Sequence, residues 1–262
     1  VDGHRCVAGT STDPTDGRVD CLVEYAPQAV LGDREPLARL IHRVMAAEPR
    51  HAWRDLVVRT PATVVPPAPL TRDLTYLVLG PGAGVPGPQL PPGLRIGPAS
   101  GPDDDARVRA WLRRAVVAGN GQRAIAPDDA AIEETVELCV SAPDRLSLLV
   151  RADGPAGPEP VAHATLLTGA RDELHGTPFI DLVDILVADG HDTRLLTAAL
   201  VAACARHATA AGLPLVGNVV HGRQPDGTDP GTRVVDSLAA RGWQPRDTYW
   251  RCALEPDLWE PR

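Results

Sequence analysis

Residues 179–219 constrain the fold more than any other stretch. Phe179–Val187 (FIDLVDILV) is a near-continuous apolar run of strand length that carries Asp181 and Asp184. Thr193–Ala211 is apolar almost all round, the pattern of a helix buried on more than one side. Leu213–Val219 reads as a second apolar strand. A strand, a buried helix and another strand make a βαβ crossover, whose parallel strands need cover on both faces.

The flanking segments extend this unit. Leu94–Ile96 reads as a short strand, and Asp104–Ala118 and Asp128–Val140 as helices. Leu146–Ala152 and Pro160–Leu167 read as a hairpin around the Gly154–Pro160 break. Gly231–Arg241 reads as a helix and Thr248–Leu254 as the last strand. The order is β-α-α-β-β-β-α-β-α-β, an α/β mixed sheet flanked by helices. Upstream, Gly80–Pro98 is dense in Pro and Gly and reads as a linker that ends near Leu94. Before it come a strand at Arg18–Tyr25, a helix at Arg34–Ala47 and strands at Trp53–Arg59 and Leu74–Leu79. The expected division is therefore a smaller N-terminal α/β segment, residues 1–92, and a main domain, residues 93–262.

Charge and composition exclude several function classes. The 26 basic residues are all arginine, so a Schiff-base lysine and a Walker-type phosphate lysine are absent. The formal net charge of -8 argues against a nucleic-acid footprint. Five scattered cysteines without a CxxC pair fit a reduced, cytoplasmic setting. No apolar run reaches the roughly 18 residues of a membrane helix, and the first residues lack a signal-peptide layout. Asp103, Asp104 and Asp105 open a helix, and no His or Cys spacing suits zinc, so no metal is expected.

Leu182-Val183-Asp184-Ile185-Leu186-Val187, with Leu200 downstream, is in register with the pattern L-x-D-L-x-V-x-P-x-x-R-G-x-G-I-G-x-x-L. Leu238-Ala239-Ala240-Arg241-Gly242-Trp243 is similar to a closing helix with its Gly-Phe, and Pro160–Leu167 to a third strand. Over residues 93–262 the chain resembles the GNAT N-acetyltransferase superfamily. Val23–Gly32, with the helix and the WRDLVVR strand after it, resembles the second half of the same domain, which would make residues 1–92 a partial GNAT-like segment.

The resemblance implies a co-substrate, acetyl-CoA or another acyl-CoA. The helix N-terminus would receive its pyrophosphate. The preceding strand, through Ile185, Leu186 and Val187, would pair with the pantetheine arm. The loop itself departs from the pattern. Asp192-Thr193-Arg194-Leu195-Leu196-Thr197 stands where the family has R-G-x-G-I-G, and only Arg194 keeps a basic position. An aspartate about 6 Å from a phosphate charge costs on the order of 2–3 kcal/mol at an effective dielectric near 20. Asp192 before an apolar helix also reads as an ordinary N-cap.

Amine acylation needs a base for the nucleophile and a proton for the leaving thiolate. Asp181 and Asp184 are the candidates on the strand. At i and i+3 of a regular strand they are expected on opposite faces. His175 in the entering loop is a third catalytic candidate, and Glu173, Asn218 and His221 are candidate substrate contacts. The family's usual acid, a tyrosine, is replaced by Leu238; Tyr249 is the nearby tyrosine in sequence. The expected function is acyl transfer from acyl-CoA to a small-molecule amine by direct attack in a ternary complex. Two alternatives stand beside it: a GNAT-fold binding protein without catalysis, and a transferase using an aminoacyl-tRNA or carrier-protein donor.

Overall fold

The computed structural model describes residues 3–13, 16–48, 52–123, 128–155, 157–222, 228–255 and 259. The elements in chain order are β1 (Val7–Thr12), β2 (Val19–Tyr25), α1 (Gln28–Leu31), α2 (Arg34–Ala47), β3 (Asp55–Pro61), β4 (Thr71–Leu79), β5 (Leu94–Pro98) and α3 (Pro102–Gln122). There follow α4 (Asp129–Val140), β6 (Arg145–Gly154), β7 (Gly157–Leu167), β8 (Ile180–Val187), α5 (Thr193–Ala211), β9 (Leu215–Val220), α6 (Pro230–Ala239) and β10 (Gln244–Ala253). The expected elements are all present. β1 (VAGTST) has no apolar alternation to announce it and exists by antiparallel pairing with β2.

Two compact units cut across the boundary expected at residue 92. The first comprises Val1–Tyr76, Val219–Asp236 and Pro245–Arg262; the second comprises Leu77–Asn218 and Ser237–Gln244. The C-terminal strand therefore belongs with the N-terminal segment.

In the first unit the strands run β1-β2-β3-β10-β4. β2 and β3 are parallel, with Cys21 opposite Leu56 and Val23 opposite Val58, and α2 lies between them in sequence. Asp33 caps α2 by accepting from the Glu35 amide at 3.1 Å. Leu37, Leu40 and Ile41 of α2 are buried in a core with Leu56, Val58, Trp250 and Trp259. β10 enters antiparallel to β3, with Trp250 opposite Val58. Its Arg251 donates to Asp20 at 2.6 Å, to Asp55 at 3.0 Å and to Asp73 at 3.0 Å. Asp20 and Asp73 are buried, so this one guanidinium ties three strands through desolvated pairs.

In the second unit the strands run β9-β8-β7-β6-β5. β7 is buried on both faces. Ala162, Ala164 and Leu166 alternate with His163 and Thr165, and all five are 0% exposed. The His163 side faces α3, whose Trp111 stacks on the imidazole at 4.9 Å and 12°. Val108, Trp111 and Leu112 of α3 and Ile132 and Val136 of α4 form the core on that side. α5 packs against β6, β7 and β8.

The Pro/Gly-rich stretch is not a free linker. It lies on α5, with the Gly82 amide 3.4 Å from Thr209 Oγ1. A Cβ at Gly87 would fall 2.9 Å from the Ala202 Cβ, so the close approach requires glycine there. This strap explains why α5 is apolar almost all round: the sheet takes one side and residues 82–87 cover part of another.

Candidate functional site

The irregular register of β8 builds the site. Leu167 pairs with Asp181, Leu166 with Leu182, and then Thr165 with Asp184. Val183 is the extra residue of a β-bulge. Leu167 and Thr165 point to the same side of β7, so Asp181 and Asp184 share one face. The expectation that they face opposite sides is thereby corrected: it assumes an unbroken period of two, and the bulge resets that period.

The two carboxylates have different surroundings on that shared face. Asp184 Oδ2 is 3.1 Å from His163 Nε2, and His163 Nδ1 is 3.3 Å from Thr165 Oγ1. Thr165 Oγ1 is in turn 2.9 Å from Ser147 Oγ. A hydrogen-bonded chain thus crosses β8, β7 and β6 beneath Trp111. An ionised Asp184 accepts only, so Nε2 of His163 carries the proton toward it. Asp181 has no hydrogen bond or ion pair to another described residue. Burial pushes its carboxyl up to about 6. Burial also pushes the nearby Cys139 thiol up to about 11, with Asp181 adding to that effect, so this cysteine stays protonated and inert.

The site lies beside an opening in the sheet. The parallel ladder between β8 and β9 comprises Ile180–Leu215, Asp181–Val216 and Leu182–Gly217. Beyond it β8 continues through Ile185, Leu186 and Val187 with no partner in β9 among the described residues. At the fork, Trp243 rings lie 3.8 Å from where a Gly217 Cβ would sit. Gly242, at φ +92, makes the turn that brings Trp243 there.

The N-terminus of α5 follows β8. Asp192 caps it, and its Oδ1 accepts from the Leu195 amide at 3.0 Å. Thr193 and Arg194 are exposed, Leu195 and Thr197 are half-buried and Leu196 is buried. The open strand edge fits the amide-rich arm of an acyl-CoA. The helix end does not fit its pyrophosphate, because a carboxylate already takes a first-turn amide and brings like charge.

The remaining candidates fall elsewhere. His175 is a loop residue with a side chain 63% exposed, and its Nδ1 lies 3.0 Å from Asp172. Asp172 also accepts from the Leu174 and His175 amides, so this histidine belongs to a turn. Glu173 is exposed on the same loop, and Asn218 is exposed on β9. His221 is buried in the first unit. Its Nδ1 lies 2.7 Å from Asp229 and its Nε2 lies 2.8 Å from Thr75 Oγ1. Both ring nitrogens are therefore engaged. Burial raises the Asp229 carboxyl, but hydrogen bonds from His221 and Thr232 outweigh this and hold it below the usual range. Tyr249 also lies in the first unit, where burial pushes its hydroxyl well above the usual range.

The site residue the sequence does not single out is His163. A histidine inside an apolar strand reads as a packed residue. Its only local signal is Thr165 on the same face, and its partners Asp184 and Trp111 come from other elements. No group of His, Cys, Asp and Glu able to hold a metal occurs among the described residues. No helix among them is long and apolar enough to cross a membrane.

No protein-family model and no curated protein sequence matches the chain. Solved structures do. A GCN5-related N-acetyltransferase from Kribbella flavida superposes with a TM-score of 0.51 at 15% identity, over 96% of this chain and 90% of that one. A functionally unknown conserved protein from Staphylococcus epidermidis gives 0.53 at 10% identity, over 95% and 94%. The GCN5-related glucosamine N-acetyltransferase region of a fungal multi-domain β-N-acetylglucosaminidase gives 0.53 at 13% identity, over 95% of this chain and 31% of that one. Identities this low speak to architecture alone: the chain has the GNAT N-acetyltransferase fold.

Proposed function

We propose that the chain is an N-acyltransferase that moves an acyl group, most simply acetyl, from a thioester to a small-molecule amine. The observation that carries this reading is the β8 bulge. It leaves Asp181, whose carboxyl burial pushes up to about 6, on the face it shares with Asp184 and beside the fork.

Asp181 accepts a proton from the ammonium form of the acceptor, directly or through one water. The freed nitrogen lone pair attacks the thioester carbonyl, a C–N bond forms and the C–S bond breaks. The sulfur leaves with the electron pair; the nitrogen gives up its second proton to solvent as the amide forms, and solvent protonates the thiolate. A thiol with an ordinary pKa near 8.5 needs little help to leave. Asp184, held by His163 at 3.1 Å, lies on the same face as Asp181 and orients the amine beside it. A base whose pKa lies just below neutrality is ionised at pH 7 yet still basic enough to take a proton. The N-terminal unit, with its own β2-α2-β3 crossover, is read as a partial second copy of the fold.

The test is thiol release from S-acetyl donors across an amine panel. Wild type should turn over at least one amine. Asp181→Asn should lose about 10²–10⁴ in kcat/KM, the usual share of a general base. Binding of donor or amine without turnover by any pair would favour a purely binding role for the fold.

A further inference from the structure

The fork and the helix end give opposite answers about the donor, and the discrepancy is informative. An extended arm bearing amides can add to β8 where β9 leaves it, by the same main-chain pairing that adds a strand to a sheet edge. The helix end offers a diphosphate nothing comparable. Asp192 Oδ1 sits on the Leu195 amide, one of the first-turn donors an anion would need. Asp189, exposed in the turn before it, is taken up by Arg114 at 3.5 Å, so the charges left at the helix end are Asp192 and the exposed Arg194. The Thr193, Leu195 and Thr197 side chains occupy positions where close backbone approach to a phosphate calls for glycine.

Resting on the acyltransferase reading above, we infer that the donor is an acyl thioester of a pantetheine-type diamide arm, bound without a nucleoside diphosphate at the N-terminus of α5. The diphosphate of acyl-CoA adds no affinity there, because repulsion from Asp192, which also occupies the Leu195 amide, offsets what Arg194 and the helix dipole supply. Such an arm reaches the site either as a free small thioester or attached to a carrier protein. The chemistry at the fork is the same in both cases.

Calorimetric titration of the full chain with S-acetylpantetheine and with acetyl-CoA tests this, without relying on turnover. Dissociation constants within about threefold of each other are expected. Asp192→Ser keeps a helix cap but removes the charge. It should tighten acetyl-CoA by tenfold or more, up to the roughly hundredfold that one repelled charge near 6 Å implies, and leave S-acetylpantetheine within twofold. Wild type binding acetyl-CoA 30-fold or more tighter than S-acetylpantetheine overturns the inference and leaves the acyltransferase reading intact. Binding of neither at millimolar concentration overturns both. A third titration, with an acetylated phosphopantetheinyl carrier protein, separates the sources: tighter binding than the free arm assigns the donor to a carrier, and equal binding assigns it to a small thioester.

Discussion

Asp181 and Asp184 pair with Leu167 and Thr165, which are alternate residues of β7, and therefore project from the same face of the sheet. Asp184 Oδ2 is 3.1 Å from His163 Nε2, whereas Asp181 has no hydrogen bond or ion pair to another described residue. Two identical side chains three residues apart on one strand thus have different surroundings, and burial pushes the carboxyl of Asp181 up to about 6.

The Asp181 carboxyl makes stability depend on pH with a defined sign. Its pKa is about 6 in the folded chain and near 3.9 unfolded. Between those values the folded state holds the extra proton, so stability falls as pH rises from about 4 to about 6 and then levels off. Asp181→Asn should be more stable than wild type at pH 8, by on the order of 3 kcal/mol, and no more stable at pH 4. Urea midpoints at the two pH values check this. An equal difference at both would show that Asp181 ionises freely in the fold.

His163 carries the buried chain from Asp184 to Thr165 and the stacked Trp111. Replacing it by leucine leaves Asp184 and Thr165 without these partners and should cost about 2–3 kcal/mol. Glutamine offers an N–H to Asp184 and a carbonyl to Thr165, so His163→Gln should recover part of that loss. Chemical denaturation of both variants reads the difference. If leucine were tolerated as well as glutamine, packing under Trp111 would be the residue's whole contribution.

Gly231 opens α6 against its own unit. A Cβ there would lie 2.7 Å from the Val220 carbonyl oxygen and 2.8 Å from His221 Nδ1. Neither group is the free end of a flexible chain. Gly231→Ala should therefore displace α6 and strain the His221–Asp229 bond, at a cost of about 2 kcal/mol. The expected signs are a lower melting temperature and a shifted His221 imidazole resonance; unchanged values for both would mean that α6 moves without cost.

Arg251 pairs with three aspartates, two of them buried. Arg251→Met removes the cation shared by the three, leaves Asp20 and Asp55 to Arg18 at 3.6 and 3.5 Å, and should cost about 3 kcal/mol. Arg251→Lys keeps the charge without the planar fork and should fall between Met and wild type. Thermal unfolding of the two variants orders them. A methionine variant as stable as the lysine one would show that the aspartates take up protons instead of losing stability.

Local pattern alone set out much of this protein. Helix α2 at Arg34–Ala47 and helix α5 at Thr193–Ala211 are legible from apolar spacing, because amphipathic burial acts over a single turn. The β8-α5-β9 crossover follows from the apolar run, and Asp192 is legible as a cap from its neighbours alone. Three features required the tertiary structure. Val183 becomes a bulge residue only through its register with Thr165 and Leu166. β10 joins β3 across most of the chain length, a pairing no local signal encodes. His163 acquires a role only when Asp184 and Trp111 arrive from β8 and α3. In each case the deciding interaction lies between residues far apart in sequence or in a one-residue change of register, and the energy of such contacts appears only once the strands have paired.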